Sequence, residues 1–222
     1  MKKKQDKKAY VVLLHGILRV KYDMILLQKS FAKHGYEVIN IQYPSRKQPL
    51  TELSDFVHKH ITSFKDYDPE KPLNFVTHSM GGIITRYYIA QHNPDNLGRV
   101  VMLGPPNTGS EFADWLTDTK ILAPMFREVF GPAGQELKTT HEHIDGDITY
   151  PLGVIAGNLS INPLAPWIIE GEHDGIVAVE RTKIEGMRDH IVMPTTHAFM
   201  MFNDKVIQQA LHFLEHEEFD HP

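Results

Sequence analysis

The chain has 222 residues and a formal net charge of −5, and it contains no cysteine. The length suits one domain, and the modest acidic excess argues against nucleic acid as a partner. Without cysteine there is no disulfide framework, no thiolate chemistry and no cysteine-ligated zinc, and a reducing, cytoplasmic location is expected. The sequence predicts no transmembrane segment, because no stretch is long and apolar enough to span a bilayer.

Residues 1–8 are rich in lysine and predict a solvated basic tail in front of the first strand. The apolar run after them is too short for the core of a signal peptide. Within it, the continuous run Tyr10–Leu14 is typical of a strand buried on both faces of a parallel sheet. The strand ends in His15-Gly16-Ile17, where glycine permits an unusual backbone path. The N–H of Ile17 could therefore point at an oxygen that develops negative charge.

Helical and strand-like patterns alternate from there to residue 103. A helix is predicted from an N-cap at Asp23 to about His34, followed by a strand over residues 36–41 and a helix from Leu50. A further helix ends near His92, and a short strand covers residues 99–103. This alternation is that of right-handed βαβ units, so we expect a parallel sheet.

The stretch from Leu73 to Gly82 organises the rest of the sequence. Its first half is an apolar, partly β-branched run that predicts a buried strand, and its last residues open a helical pattern. Ser79 lies between the two, followed by two glycines. A sharp turn from strand to helix exposes the serine hydroxyl and aims the backbone N–H of Met80 at the space beside it.

The run Thr77-His78-Ser79-Met80-Gly81-Gly82 resembles the nucleophile elbow of the α/β-hydrolase family, and His15-Gly16 resembles its oxyanion loop. Thr77 stands where the usual motif has its first glycine. The resemblance covers most of the chain and implies the α/β-hydrolase fold, with a mostly parallel sheet of about six strands flanked by helices. It also implies a lipase- or esterase-like serine hydrolase in one domain over residues 9–216.

The regular alternation stops between residues 110 and 150. One short helix is indicated by Phe112, Trp115 and Leu116, and a second by a group of apolar residues at helical spacing: Ile121, Leu122, Met125, Phe126, Val129 and Phe130. We interpret the segment as a small helical cap whose apolar side chains line an acyl pocket. The alternative, that these residues only complete the core, stays open.

The sheet resumes at residues 151–157, and a last strand, Asp189–Met193, precedes the closing helix. Between these two strands lies Asp174, followed by a glycine, and directly after the last strand lies His197. A serine hydroxyl needs an imidazole to take its proton and a carboxylate to orient that imidazole. The elbow family supplies them in the order Ser, Asp, His, which assigns Ser79, Asp174 and His197 as the catalytic residues.

Other residues compete for these roles. His173 is the nearest rival of His197, whereas His78 is expected to point away from the hydroxyl and His15 to shape the oxyanion loop. The rivals of Asp174 are Asp145, Asp147, Glu170 and Glu172. The order of the three residues along the chain favours Ser79, Asp174 and His197, with the N–H groups of Ile17 and Met80 binding the oxyanion.

The segment His212–His216 matches the H-x-x-E-H pattern of some metallopeptidases. It lies at the end of the chain with no third ligand predicted nearby, so an amphipathic closing helix is favoured and no metal site is assigned. The proposed chemistry requires neither a metal nor an organic cofactor.

The expected substrate is a small-molecule ester with an apolar acyl group. A thioesterase, amidase or acyltransferase would use the same three residues and stays an alternative. So does a binding protein that kept the fold without catalysis, because fold alone does not fix function.

Overall fold

A computed structural model describes residues 9–119, 123–140 and 147–221 of the chain. The described residues form a parallel six-stranded sheet with the strand order β2-β1-β3-β4-β5-β6. The strands are β1 Tyr10–Leu14, β2 Glu37–Ile41, β3 Leu73–His78, β4 Leu97–Leu103, β5 Leu152–Gly157 and β6 Asp189–Met193. The parallel sheet of about six strands predicted from the sequence is confirmed.

Helices connect the strands and cover both faces of the sheet. They are α1 Ile25–Lys33, α2 Leu50–Thr62, α3 Met80–His92, α4 Glu111–Asp118, α5 Ala123–Gln135, α6 Ala165–Ile168, α7 Val179–Thr182 and α8 Asp204–His216. Two 3-10 turns, Lys21–Met24 and His197–Phe202, precede α1 and α8. Among the described residues, no helix is both long and apolar enough to cross a membrane.

The central strands are buried on both faces, which is why their sequences are continuous apolar runs. In β1 all five side chains are inaccessible to solvent. Tyr10, Val12 and Leu14 pack into a core with α2 and α3, while Val11 and Leu13 pack into a second core with α1 and α8. The alternation of side chains along a strand thus divides the interior into two layers.

Several elements start one or two residues away from the prediction, and two of these differences are informative. Asp23 lies inside the first 3-10 turn, where its carboxylate accepts a hydrogen bond from the N–H of Val20 (3.1 Å), and α1 begins only at Ile25. Strand β4 begins at Leu97, two residues before the predicted start at Arg99. In both places the sequence signal identified the element but not the residue at which it starts.

Helices α4 and α5 lie within the segment predicted as a cap. Helix α5 is broken at Gly131, whose φ of +64° is not helical, and Pro132 follows directly. The placements of Ile121, Leu122 and Asp145, and the side chains of Met125 and Phe126, lie outside the described residues. The assignment of residues 110–150 as a cap stays a prediction.

Candidate active site

The serine predicted as the nucleophile lies in a strained turn between β3 and α3. Ser79 has φ +53° and ψ −125°, a conformation that L-residues avoid unless their surroundings enforce it. Its N–H donates to the carbonyl of Leu103 and its carbonyl accepts from the N–H of Gly82, both at 2.9 Å. A Cβ at Gly81 would lie 2.6 Å from the carbonyl oxygen of Leu14. Glycine therefore lets α3 start directly against β1.

Thr77, which replaces the usual glycine, is fully buried inside the sheet. It is paired with Leu14 of β1 on one side and Met102 of β4 on the other. Its hydroxyl has no hydrogen-bond partner among the described residues, an arrangement that costs about 1 to 3 kcal/mol. The sheet therefore accommodates the larger side chain at an energetic cost.

The predicted acid and base are in direct contact. Nδ1 of His197 lies 2.7 Å from Oδ2 of Asp174, and the backbone N–H of His197 donates to the carbonyl of Asp174 at 3.0 Å. The other carboxylate oxygen, Oδ1, accepts from the N–H groups of Ile176 (3.0 Å) and Val177 (2.8 Å). Asp174 is only 2% exposed, so the two N–H groups stabilise its charge where water has little access.

Gly104, at the end of β4, lies against this pair. A Cβ there would lie 3.0 Å from Oδ2 of Asp174 and 3.1 Å from Nδ1 of His197, and the residue has φ +55°. Both the space and the backbone conformation therefore require glycine. This role was not predicted from the sequence, although a glycine directly after a buried strand was the available signal.

The loop after β1 is fixed by two stacked rings. The rings of His15 and Tyr43 are 4.2 Å apart between centroids and their planes are nearly parallel, at 7°. The hydroxyl of Tyr43 donates to the carbonyl of His15, and Nδ1 of His15 donates to the carbonyl of Gly16 at 2.8 Å. His15 is fully buried and shapes the loop that presents Ile17.

A cavity of about 300 Å³ opens at the edge of the sheet where the strands end. Ser79, His197, His78, Arg19 and Ser110 supply polar groups to its wall. The rest of the wall is mainly apolar and includes Ile17, Leu18, Phe112, Ala113, Leu116, Phe130, Leu137, Ile176 and Val177. An apolar cavity with a few convergent polar groups is the usual form of a small-molecule site.

The structure brings the sequence-predicted residues to this one edge. Ser79, His197 and Ile17 line the cavity, Asp174 is hydrogen-bonded to His197, and Met80 opens α3 with its backbone at the helix N-terminus. An N–H at a helix N-terminus favours negative charge nearby.

The rival acids do not take the place of Asp174. Asp147, Glu170 and Glu172 are exposed, and Asp145 lies outside the described residues. The rival base, His173, has Nδ1 3.2 Å from the N–H of Gly175, which makes it part of the turn that holds Asp174.

His212 and His216 lie on α8, as the H-x-x-E-H pattern requires. Nδ1 of His212 donates to the carbonyl of Glu218 at 2.9 Å. Over the part of the chain that the structure describes, no group of three or more His, Asp or Glu residues could hold a metal ion. The segment forms the last turn of the closing helix, whose side chains Phe213 and Leu214 are buried.

The buried histidines of the site predict a loss of stability in acid. Burial lowers the pKa of His15, and burial with the charges of His197 and Arg19 nearby holds the pKa of His78 well below its ordinary value of 6.5. In acid the unfolded chain binds protons that the folded chain does not, so stability is present above about pH 6.5 and is lost as the pH falls. For His78, whose pKa is lowered furthest, this loss of unfolding free energy should be about 1 kcal/mol between pH 7.5 and pH 5.5.

Urea unfolding at pH 7.5 and pH 5.5 measures this loss. In His78→Gln, which has no titrating group at that position, the difference between the two pH values should be smaller than in the wild type by about 1 kcal/mol. An equal difference in the two proteins would contradict a neutral, buried His78.

Comparison with known proteins agrees with this architecture. The family model described as "alpha/beta hydrolase fold" matches residues 10–133. Triacylglycerol lipase 2 of Saccharomyces cerevisiae is 29% identical over 109 residues, which are 46% of this chain but only 33% of that protein. The alignment thus spans about a third of the length of that curated relative.

Solved structures of low sequence identity share the fold. The mature form of the Bacillus licheniformis lipase BlEst2 superposes with a TM-score of 0.73 at 18% identity, covering 96% of this chain and 94% of that one. The phospholipase PlaB from Legionella pneumophila gives a TM-score of 0.69 at 15% identity, covering 95% of this chain and 60% of that one. With the family match over more than half of its length and the same sheet, this chain belongs to the α/β-hydrolase fold family.

Proposed function

We propose that this protein is a serine hydrolase that cleaves carboxylic esters with an apolar acyl group. The observation that supports this best is the 2.7 Å contact between His197 and Asp174, at a cavity that Ser79 also lines. A buried carboxylate on one ring nitrogen of a histidine leaves the other nitrogen free to take a proton from a hydroxyl.

In the proposed reaction, Oγ of Ser79 attacks the ester carbonyl carbon while Nε2 of His197 accepts the hydroxyl proton. Asp174 stabilises the imidazolium that forms, and the N–H groups of Ile17 and Met80 bind the oxyanion. The imidazolium then protonates the leaving alcohol, and an acyl-enzyme on Ser79 remains. A water molecule, deprotonated by His197, attacks this ester and releases the carboxylic acid and free Ser79.

The acyl group is assigned to the apolar wall of the cavity. Phe112, Ala113 and Leu116 of α4 contribute to it together with Phe130 and Leu137. An apolar chain that binds there is removed from water, which stabilises the complex by about 0.8 kcal/mol for each buried CH₂ group. The enzyme should therefore prefer esters whose acyl chain is long enough to fill this wall.

A fluorophosphonate probe and a series of p-nitrophenyl esters test the proposal. We expect the probe to form a stable adduct on Ser79, located by peptide mass spectrometry, and kcat/KM to rise from acetate to longer acyl chains. No labelling and no turnover of any ester would contradict catalysis and favour a binding protein. Faster turnover of thioesters or amides would contradict the assigned substrate class.

Ala113 of α4 offers a test of the acyl pocket. The side chain is small and lines the cavity, so Ala113→Phe should fill space that a long chain needs. We expect the ratio of kcat/KM for the decanoate ester to that for the butyrate ester to fall at least about tenfold. Each methylene group that the pocket excludes lowers the binding free energy by about 1 to 3 kcal/mol, and by less where the pocket can relax. Turnover of the acetate ester should change little.

The matched control is Ala90→Phe. Ala90 is exposed and lies near the far end of α3 from Ser79, so the added ring should not reach the cavity. An unchanged decanoate-to-butyrate ratio in Ala113→Phe would show that the acyl chain binds elsewhere.

A further inference from the structure

His78 is a buried histidine at the active site that takes no part in the proposed chemistry. It ends β3, directly before Ser79, and is 1% exposed. Its Nε2 lies 2.9 Å from the backbone carbonyl oxygen of His197. A carbonyl only accepts, so Nε2 carries the hydrogen and Nδ1 is left unprotonated. Nδ1 is buried and has no hydrogen-bond partner among the described residues.

This contact acts on the segment that carries the predicted base. His197 opens a 3-10 turn in the connection between β6 and α8. Asp174 binds its ring and its backbone N–H, and His78 binds its carbonyl. Because His78 and Ser79 are consecutive in the chain, the bond from His78 ties the backbone of the base to the strand that ends at the nucleophile.

The ring of His78 also packs against the loop after β1. A Cβ at Gly16 would lie only 2.9 Å from Nδ1 of His78, so the ring lies directly over the Cα of that glycine. The ring is also 4.7 Å from the ring of His197, centroid to centroid. His78 thus packs against both the predicted oxyanion loop and the predicted base.

We propose that His78 is a positioning residue: its Nε2–H holds the backbone of His197 so that the imidazole stays aligned with Ser79. This inference rests on the proposed serine hydrolase activity. A shift of about 1 Å in a catalytic group can lower the rate about 100-fold, so losing this bond should lower kcat about 10- to 100-fold. KM should change little, since the hydrogen bond is made to the protein and not to the substrate.

Two neutral amides at position 78 separate the hydrogen bond from the bulk of the side chain. In His78→Gln the amide nitrogen can occupy the place of Nε2 and donate to the same carbonyl. In His78→Asn the amide nitrogen reaches only the place of Nδ1. We expect His78→Gln to keep most of the kcat for p-nitrophenyl esters and His78→Asn to lose about 10- to 100-fold.

His190→Asn is the matched control. His190 is a partly buried histidine that, like His78, has an Nε2 contact of 2.9 Å, in this case to the hydroxyl of Thr182. It lies on β6 outside the cavity. Its replacement should leave kcat unchanged, which separates a local effect on the base from the general cost of shortening a buried histidine. The thermal unfolding temperature of each variant is measured together with its kcat.

The comparison of kcat between His78→Asn and His78→Gln decides the proposal. A low kcat in His78→Asn together with a nearly normal kcat in His78→Gln supports the proposal. It does so also when the two variants unfold at the same temperature, because the difference in kcat then does not come from stability. Equal kcat in both variants, whether full or reduced, overturns it. If the wild type turns over esters and is labelled on Ser79, equal kcat values in the two variants contradict only the role of His78. If the wild type does neither, the proposed hydrolase activity fails and the role of His78 fails with it.

Discussion

Replacing Ser79 by alanine is expected to lower kcat/KM for p-nitrophenyl esters by at least about 10⁴-fold. The variant lacks the oxygen that forms the acyl-enzyme, while the cavity, the His197–Asp174 pair and the N–H groups around them remain. The residual rate should come from binding and oxyanion stabilisation alone. The fold should persist, because alanine keeps the Cβ and the backbone hydrogen bonds of Ser79 to Leu103 and Gly82 do not involve the hydroxyl.

The control for this variant is Ser54→Ala. Ser54 is a fully buried serine on α2, and its hydroxyl bonds to the side chain of Gln91 rather than to any residue of the cavity. It should keep full ester turnover and fluorophosphonate labelling, with some loss of stability. Ester turnover by Ser79→Ala at the wild-type rate would remove the proposed mechanism.

Asp174→Asn should have the second largest effect, about a 10⁴-fold loss of kcat. Oδ1 of Asp174 accepts from two backbone N–H groups, so the amide oxygen of the new side chain must take that place. The amide NH₂ is then directed at His197, where Oδ2 accepted a hydrogen bond before. Nδ1 becomes the acceptor, the ring hydrogen moves to Nε2, and Nε2 can no longer take the proton of Ser79.

Asp189→Asn is the corresponding control. Asp189 also pairs with a histidine, since its carboxylate lies 2.9 Å from Nε2 of His221, but it lies at the start of β6, away from the cavity. Its replacement should lower stability and leave kcat unchanged. Comparable losses of kcat in the two variants would mean that Asp174 acts through folding and does not orient the base.

Much of the fold could be predicted from the sequence because the strands are continuous apolar runs separated by helical patterns. The strand Tyr10–Leu14 was predicted with its observed bounds, and a strand was predicted in the first half of residues 73–82, where β3 lies. Neither is an edge strand. The order of strands in the sheet was not predicted, because it depends on side-chain packing between distant segments. The start of α1 was wrong for a local reason, since Asp23 accepts a hydrogen bond from Val20 in a 3-10 turn instead of capping the helix.

The candidate site was predicted from motif order and from the geometry of parallel sheets. That reasoning placed Ser79, Asp174 and His197 at one edge, and the contact between the last two agrees with it. It did not find that His78 bonds to His197, because the partner is a backbone carbonyl 119 residues away. A hydrogen bond of that kind depends on the path of the 3-10 turn, and no residue pattern in the sequence signals it.

Helices α4 and α5 are inserted between β4 and β5, whereas Ser79, Asp174 and His197 come from other connections of the sheet. The inserted segment nevertheless supplies much of the apolar cavity wall. In the proposed reaction, substrate choice and bond cleavage are therefore assigned to separate stretches of the gene. Exchange of these helices for others would then give a new range of substrates and leave the proposed reaction unchanged.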